Sequence, residues 1–210
     1  MPHRGLAEGK SRLSGVLDDA ARFELNRDLL QRTLITVTEW LRDAQQCIVV
    51  SPCSAARALA VAHGAQALLD TDTHLNNALA AGAAHARAQN AHKVLIVPGD
   101  LPLLSAAALD SLIAMDTRDA AQTTVIAPDR HGEGTNALLV NAAATPFAFG
   151  AHSFERHRAL ALARGDVVHT CTHQALAFDL DTPEDLDTWQ HHAHHGGRHH
   201  PAPAFLEAKT

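Results

Sequence analysis

Short, continuously apolar runs alternate along this chain with alanine-rich stretches of helical periodicity, and this alternation restricts the fold more than any other feature. Runs that are apolar at every position are typical of strands buried on both faces by helices. The predicted strands are 47–51, 94–97, 123–127, 137–140, 167–170 and 176–180. The predicted helices are 18–44, 54–63, 76–89, 106–115, 154–164 and 183–192. The alternation predicts a three-layer, Rossmann-like α/β fold with a mostly parallel mixed sheet.

The chain reads as one domain followed by a tail of different composition. No repeat or linker divides residues 1–190, so we expect a single domain there. Six histidines crowd the stretch that begins at residue 191 and surrounds two adjacent glycines. We expect residues 191–210 to form a flexible, His-rich C-terminal tail, with metal storage as the functional alternative.

Charge and hydropathy exclude several classes of partner. The net charge is −6, from 17 Lys and Arg against 23 Asp and Glu. Nucleic-acid binding needs a basic face, so we expect no nucleic-acid partner, whereas a small phosphorylated ligand needs only a few local cations. No apolar run approaches the roughly 18 residues of a membrane span, and no secretory signal opens the chain. We therefore expect a cytoplasmic protein with no membrane partner.

Aspartates follow two of the predicted strands, at the ends where α/β sheets bind ligands. Asp100 follows strand 94–97, directly after Gly99, which lets the backbone approach a ligand closely. Asp179 and Asp181 are two residues apart and face the same side of an extended segment. Magnesium prefers such carboxylate oxygens, completed by substrate phosphates. Asp100, Asp179 and Asp181 predict a metal site, with helix capping as the alternative role of Asp181.

A basic loop lies near the start of the chain. Lys10 and Arg12 stand two apart before the first predicted helix and could grip a triphosphate, with a solvated basic terminus as the alternative. In a sheet that binds nucleotide phosphates, a strand normally precedes such a loop. Only residues 1–9 are available, without an apolar run, so we expect the first strand to be missing or irregularly replaced.

Polar groups that suit a nucleoside or an anion occupy three further turns. Asn76 opens a predicted helix, where it could cap the helix or read a base or ribose. The loop before Thr135 is too long and Gly-rich for a tight hairpin and is typical of a binding loop, in which Thr135 could donate to an anion. Ser153, with the free amides of the helix that follows, forms a further anion site. For His157 in that helix, surface exposure is the plain expectation.

No Ser-His-Asp or Cys-His arrangement and no zinc motif stands out, although the chain has 16 histidines. This favours metal-assisted phosphoryl chemistry over a hydrolase that relies on a histidine base.

Six short motifs occur in an order that resembles a known family. They are Lys10-Ser11-Arg12-Leu13, Leu75-Asn76, Pro98-Gly99-Asp100-Leu101-Pro102, Gly134-Thr135-Asn136, Phe149-Gly150 with Ser153, and Asp179-Leu180-Asp181-Thr182-Pro183. Together they resemble the 2-phospho-L-lactate guanylyltransferase family of deazaflavin coenzyme F-420 biosynthesis. Each motif alone is weak evidence for the family, but all six in the same order over residues 5–187 are specific evidence. Members of the family have a hydrophobic strand before the Lys-x-Arg-Leu loop, which this sequence does not show.

The resemblance implies a nucleotidyltransferase fold shared with molybdenum-cofactor guanylyltransferases and sugar-nucleotide enzymes. It implies that GMP moves from GTP, with Mg²⁺, onto 2-phospho-L-lactate, phosphoenolpyruvate or 3-phospho-D-glycerate, with release of pyrophosphate. It also implies a role for each matching residue: catalysis at Lys10, Arg12 and Asp100; metal binding at Asp100, Asp179 and Asp181; acid binding at Thr135, Gly150 and Ser153; nucleoside binding at Asn76, Pro98 and Gly99.

The partners expected on this basis are the two small-molecule substrates and a second copy of the chain in a homodimer. Two alternatives stay open. One is another nucleotidyltransferase of the same fold, with a molybdopterin or sugar-phosphate acceptor. The other is a non-catalytic nucleotide- or metal-binding protein that works through its His-rich tail.

Overall fold

A computed structural model describes residues 1–195 except 4, 8, 73 and 117–121, with side chains to residue 192. The described strands are β1 (Ile48–Ser51), β2 (Gln66–Leu69), β3 (Lys93–Ile96), β4 (Thr123–Pro128), β5 (Thr135–Asn141) and β6 (Val167–Thr170). The described α-helices are α1 (Asp19–Leu41), α2 (Ser54–Ala62), α3 (Leu75–Ala88), α4 (Ala106–Ala114), α5 (Ser153–Ala163), α6 (Gln174–Ala177) and α7 (Pro183–His195). A single 3-10 turn, Ser11–Leu13, precedes α1.

The strands form two sheets. β1 and β2 pair in parallel, and the second sheet has the order β3-β5-β4-β6. β5 runs antiparallel to both β3 and β4, whereas β4 and β6 are parallel. Among the strands of the second sheet that the structure describes, β5 is therefore the one reversed strand. The predicted α/β fold with a mostly parallel mixed sheet is confirmed.

Alternating side chains of the central strand explain the three layers. Val125 and Ala127 of β4 belong to a core cluster with Leu30 of α1, whereas Ile126 belongs to a second cluster with Leu79 of α3. Successive strand residues point to opposite faces, so β4 is buried on both sides. A third cluster joins the middle of α1 to the buried Trp189 of α7. Within the described part of the chain, no helix is both long and apolar enough to cross a membrane.

The N-terminal residues lie between the two sheets. Pro2 forms a parallel bridge with Val50 of β1, and Met1 donates its terminal ammonium to the carbonyl of Ile48 at 2.8 Å. Burial lowers the pKa of this ammonium. A cavity of about 460 Å³ separates β1 from β3, lined by residues of both strands together with α3. Among the described residues, no strand element precedes the Lys10 loop, and Pro2 instead pairs with β1 through a single bridge.

One predicted strand is absent from the structure, and one strand of the structure was not predicted. The segment 176–180 is not a strand: α6 ends at Ala177, and residues 178–180 join no ladder with the strands that the structure describes. β2 was not predicted, because it is a short edge strand without a buried run of side chains. At the C-terminus, α7 extends to His195, and residues 196–210 of the predicted tail lie outside the described residues.

Candidate active site

The Lys10 ammonium lies between two of the aspartates that the sequence singles out. Its Nζ atom is 2.8 Å from Asp100 Oδ2 and 2.8 Å from Asp181 Oδ1, and its side chain is only 5% exposed. Burial alone would lower the pKa of Lys10, but the charges and hydrogen bonds of the two carboxylates outweigh burial and raise it. Lys10 is therefore a permanent cation that neutralises this cluster.

Asp179 lies beside the same cluster. Asn136 Nδ2 donates to Asp179 Oδ1 at 3.5 Å. Burial raises the pKa of Asp179, and the charges of Asp181 and Asp100 raise it further. The site thus carries more negative charge than Lys10 alone offsets, which is the electrostatic condition for a further cation.

The donor set is suited to a divalent cation. Carboxylate oxygens are hard ligands of the kind that magnesium takes, and substrate phosphates can complete its shell. Asp100, Asp179 and Asp181 could hold such an ion through their remaining oxygens, since Lys10 bonds to one oxygen each of Asp100 and Asp181. Among the described residues, no three His, Cys, Asp or Glu side chains already form a cluster with ligand geometry.

Local hydrogen bonds explain why the aspartates meet. Asp100 follows β3, and its carbonyl accepts from the backbone N–H of Leu180 at 3.2 Å, which joins the two aspartate segments. Asp185 then fixes the second segment, because its Oδ2 accepts from the backbone N–H groups of Asp181 and Thr182 at 2.9 and 2.8 Å. Thr182 Oγ1 accepts from Asp185 N in return, which completes a capping box at the start of α7.

Arg130 reinforces this arrangement from the neighbouring loop. Its guanidinium bonds to the buried Asp185 carboxylate and lies 5.3 Å from the centre of the Phe178 ring. The backbone hydrogen bonds of Asp181 and Thr182, together with Arg130, outweigh the effect of burial and lower the pKa of Asp185. Arg130 and Asp185 were not among the predicted site residues, although the Thr182–Asp185 spacing is itself a capping-box pattern.

The loop between β4 and β5 is shaped by one carboxylate. Asp129 accepts from the backbone N–H groups of His131 and Glu133 with one oxygen and of Gly134 with the other. Glu133 in turn accepts from Phe154 N of α5 at 3.0 Å. The loop therefore holds Thr135, the first residue of β5, next to the start of α5.

Gly150 and Ser153 lie at the N-terminal end of α5, and Thr135 contacts the same helix one turn further on. Gly150 has φ +121°, a conformation that other residues rarely adopt, and open space lies where its Cβ would be. Ser153 begins α5 and is buried. One turn later, His157 contacts Thr135. This histidine is buried, so the predicted surface exposure is wrong.

The predicted nucleoside residues lie at two places. Pro98 and Gly99 connect β3 to Asp100, and both are half-buried. Asn76 lies instead against the segment that precedes α5: its Nδ2 donates to the Phe149 carbonyl at 3.1 Å and its Oδ1 accepts from Phe149 N at 2.8 Å. Arg12 is exposed beside the buried Lys10.

The mixed α/β sheet and the lysine-neutralised aspartate cluster are consistent with a nucleotidyltransferase, the class to which the comparisons assign this chain. Two solved structures share the fold. The CMP:2-keto-3-deoxy-manno-octonic acid synthetase complexed with CTP aligns with a TM-score of 0.57 at 13% identity, covering 89% of this chain and 93% of its own. A cytidylyltransferase from Leptospira borgpetersenii aligns with a TM-score of 0.58 at 10% identity, covering 89% and 82%.

The family is narrower than the fold. The family model described as "Guanylyl transferase CofC like" matches residues 1–201, and the chain belongs to this family. A phosphoenolpyruvate guanylyltransferase of Sphaerobacter thermophilus is 39% identical over 195 residues, covering 92% of both chains. A 3-phospho-D-glycerate guanylyltransferase of Phenylobacterium zucineum is 36% identical over 188 residues, covering 87% of this chain and 84% of its own.

Proposed function

We propose that this enzyme transfers GMP from GTP to a phosphorylated three-carbon acid and releases pyrophosphate, as a step of deazaflavin coenzyme F-420 biosynthesis. The observation that supports this most directly is the pairing of two half-sites. The aspartate cluster with Lys10 suits a triphosphate and its cation, and the Thr135–Ser153 region suits a second anion. Family membership and the names of the relatives support guanylyl transfer and three-carbon acids as acceptors.

The reaction needs no general base. A phosphate oxygen of the acid is already anionic; it bonds to the α-phosphorus of GTP while the bond from that phosphorus to the bridging oxygen breaks, and pyrophosphate leaves. The protein contributes positioning and charge neutralisation. Lys10 and Arg12 would neutralise the triphosphate, and Pro98 and Gly99 would border the nucleoside. A bound Mg²⁺ would supply Lewis-acid stabilisation of the phosphates at Asp100, Asp179 and Asp181.

The acid would bind through Thr135, Gly150 and Ser153. A hydroxyl group and the amides at the start of α5 are donors that suit both a phosphate and a carboxylate. The three candidate acids are phosphoenolpyruvate, 3-phospho-D-glycerate and 2-phospho-L-lactate. They differ by a double bond, a hydroxyl group or the position of the phosphate, so the shape of this pocket selects among them.

The test is pyrophosphate release by the full chain with GTP, Mg²⁺ and each acid in turn, with CTP and ATP as competing nucleotides. We expect release with GTP and at least one of the three acids. Replacing Mg²⁺ by chelator should abolish it. A folded protein that releases no pyrophosphate with any acid contradicts the proposal.

Asp100→Ala provides the matched loss of function. This change removes a carboxylate that would bind the metal, so we expect turnover to fall by at least about 100-fold. Asp187→Ala, which removes an exposed carboxylate on α7, should leave turnover unchanged. Circular dichroism checks that both variants fold, and wild-type activity in Asp100→Ala would rule out the proposed metal site.

The homodimer, the cytoplasmic location and the lack of nucleic-acid and membrane partners stay predictions. Sedimentation of the purified chain tests the first of them.

A further inference from the structure

Both ring nitrogens of His157 have partners inside the protein. The side chain is 4% exposed and lies one turn after Ser153 on α5. Its Nδ1 is 3.0 Å from Thr135 Oγ1, and its Nε2 is 3.0 Å from the backbone nitrogen of Ala148. The Phe149 ring packs edge-on against the imidazole, with 4.5 Å between the ring centres. These contacts fix the plane of the ring.

The partners also fix the tautomer. The backbone N–H of Ala148 can only donate, so Nε2 must be the unprotonated acceptor. A neutral imidazole then carries its proton on Nδ1, which donates to Thr135 Oγ1. Because the hydroxyl oxygen accepts this bond, its own proton is left to donate elsewhere.

The neutral form is favoured by the surroundings of the ring. Burial, together with the charges of Arg156 and Arg164, lowers the pKa of His157 to about 4. Protonation would place a second donor against the Ala148 N–H and remove the hydrogen bond there.

We propose that His157 is a positioning residue for the acid substrate: by donating to Thr135 Oγ1, it turns the threonine hydroxyl into a donor directed at a phosphate or carboxylate oxygen of the acid. His157 does not touch the substrate itself. The inference rests on the proposed function, because it assumes that Thr135 binds the acid. It predicts that loss of the histidine weakens binding of the acid and leaves GTP binding unchanged.

Two substitutions separate the two ring nitrogens. His157→Asn places an amide N–H where Nδ1 lies and keeps a donor for Thr135, but it leaves Ala148 N–H without an acceptor. His157→Gln places an amide oxygen where Nε2 lies and keeps the acceptor, but it removes the donor to Thr135. Both variants should lose some stability, so the melting temperature does not distinguish them, but KM for the acid should.

We expect His157→Gln to raise KM for the acid about tenfold, with kcat and KM for GTP little changed, since one hydrogen bond to an anion is weakened. His157→Asn should raise it much less. Equal KM values in the two variants would overturn the proposal.

A double-mutant cycle tests the route through the threonine. Thr135→Val removes the hydroxyl, so adding His157→Gln to it should cause no further rise in KM for the acid. A full additional tenfold rise would show that His157 acts independently of Thr135.

A spectroscopic measurement tests the proposal independently of enzyme activity. In uniformly ¹⁵N-labelled protein at neutral pH, the imidazole of His157, assigned by its loss in His157→Gln, should carry its proton on Nδ1. A proton on Nε2 refutes the proposal whatever the substrate. The expected tautomer in a protein that releases no pyrophosphate would instead leave His157 correctly described and disprove only the proposed function.

Discussion

Lys10 combines two demands that single residues seldom meet. It has φ 60°, in the left-handed region, and its ammonium is buried against Asp100 and Asp181. In the absence of a metal, this one side chain keeps two carboxylates from repelling each other at close range. A divalent cation and a triphosphate would take over this role, which would free Lys10 to contact the phosphates.

Lys10→Met should therefore make the stability of the fold depend more strongly on a bound metal. The change leaves the carboxylates without their counter-charge, and we expect a loss of about 2 kcal/mol in the free energy of unfolding without metal, since the pair is buried on the lysine side only. Millimolar Mg²⁺ should raise the melting temperature of Lys10→Met more than that of the wild type. Thermal unfolding with and without Mg²⁺ measures both effects. The exposed neighbour gives the control, Arg12→Met, which should behave like the wild type in both conditions; an unchanged melting temperature in Lys10→Met would contradict the argument.

The buried His157 should make the protein sensitive to mild acid. Its pKa is about 4 in the folded state against an ordinary value of 6.5. The unfolded chain therefore binds the proton more readily between these values, and stability falls as the pH falls through this window. The loss attributable to His157 amounts to about 3 kcal/mol at pH 4. Urea unfolding at pH 7 and pH 4 measures it, and the pH-dependent loss should be smaller in His157→Gln. An equal loss in both proteins would assign the acid sensitivity to other groups.

At the scale of elements, continuous runs of apolar residues predicted the buried strands correctly. The same signal gave a wrong strand where the apolar residues of one run pack in different clusters. β4 and β5 are buried along nearly their whole length and were predicted. In the segment 176–180, Leu176 packs in the main core, whereas Phe178 and Leu180 pack in the cluster with α1 and α7. The sequence shows that these residues are apolar. It does not show that they are buried in two different clusters, nor that the segment pairs with no described strand.

In the candidate site, too, some residues could be predicted from the sequence and others could not. Asp100, Asp179 and Asp181 could be predicted because they lie at the ends of apolar runs. The expected reason holds for Asp100, which follows β3, whereas the second segment is joined to it through the hydrogen bond from Leu180 N to the Asp100 carbonyl.

His157 could not be predicted, since its partner Thr135 is 22 residues away and the two meet through tertiary packing of α5 and the hydrogen bond from Phe154 N to the Glu133 carbonyl. A lone histidine in a helix carries no local sign of a buried, tautomer-fixing environment.

The capping box of α7 connects a structural element to the site. Asp185→Ala removes the acceptor for the backbone N–H groups of Asp181 and Thr182 and leaves Arg130 without its carboxylate. We expect a loss of about 2 kcal/mol in stability, from the cap and the buried charge pair. We also expect turnover to fall, because Asp181 is no longer held in place. Urea unfolding and pyrophosphate release measure these two effects.

The comparison for that variant is Glu184→Ala, one position earlier in the same first turn and exposed. It should change stability by a few tenths of a kcal/mol at most and leave turnover intact. If Asp185→Ala retained wild-type turnover at a temperature where it is fully folded, the cap would be structural only.

At the scale of the whole molecule, the two sheets meet across the cavity between β1 and β3. α3 lies against both strands and so joins the two sheets on one face. Apolar atoms that line a cavity lose the contacts that a filled core would give them. The junction is therefore a place where added apolar atoms can stabilise the fold, and its lining residues include neither the three aspartates nor Thr135, Gly150 and Ser153.

Ala86→Leu should fill part of this cavity and stabilise the protein. Ala86 lines the cavity from α3, together with Gly82 and Ala83. The added carbons would be buried among apolar groups, and we expect a gain of about 1 kcal/mol, below the full transfer value because the cavity relaxes around the new side chain. Ala84→Leu, on the exposed side of the same helix, carries the same change in helix propensity without the burial and should show no gain. Thermal unfolding of the two variants gives the difference directly. If both variants melt together with the wild type or below it, the cavity does not limit stability; if only Ala86→Leu melts higher and pyrophosphate release is unchanged, the junction between the sheets is a weak point of the fold that the active site does not need.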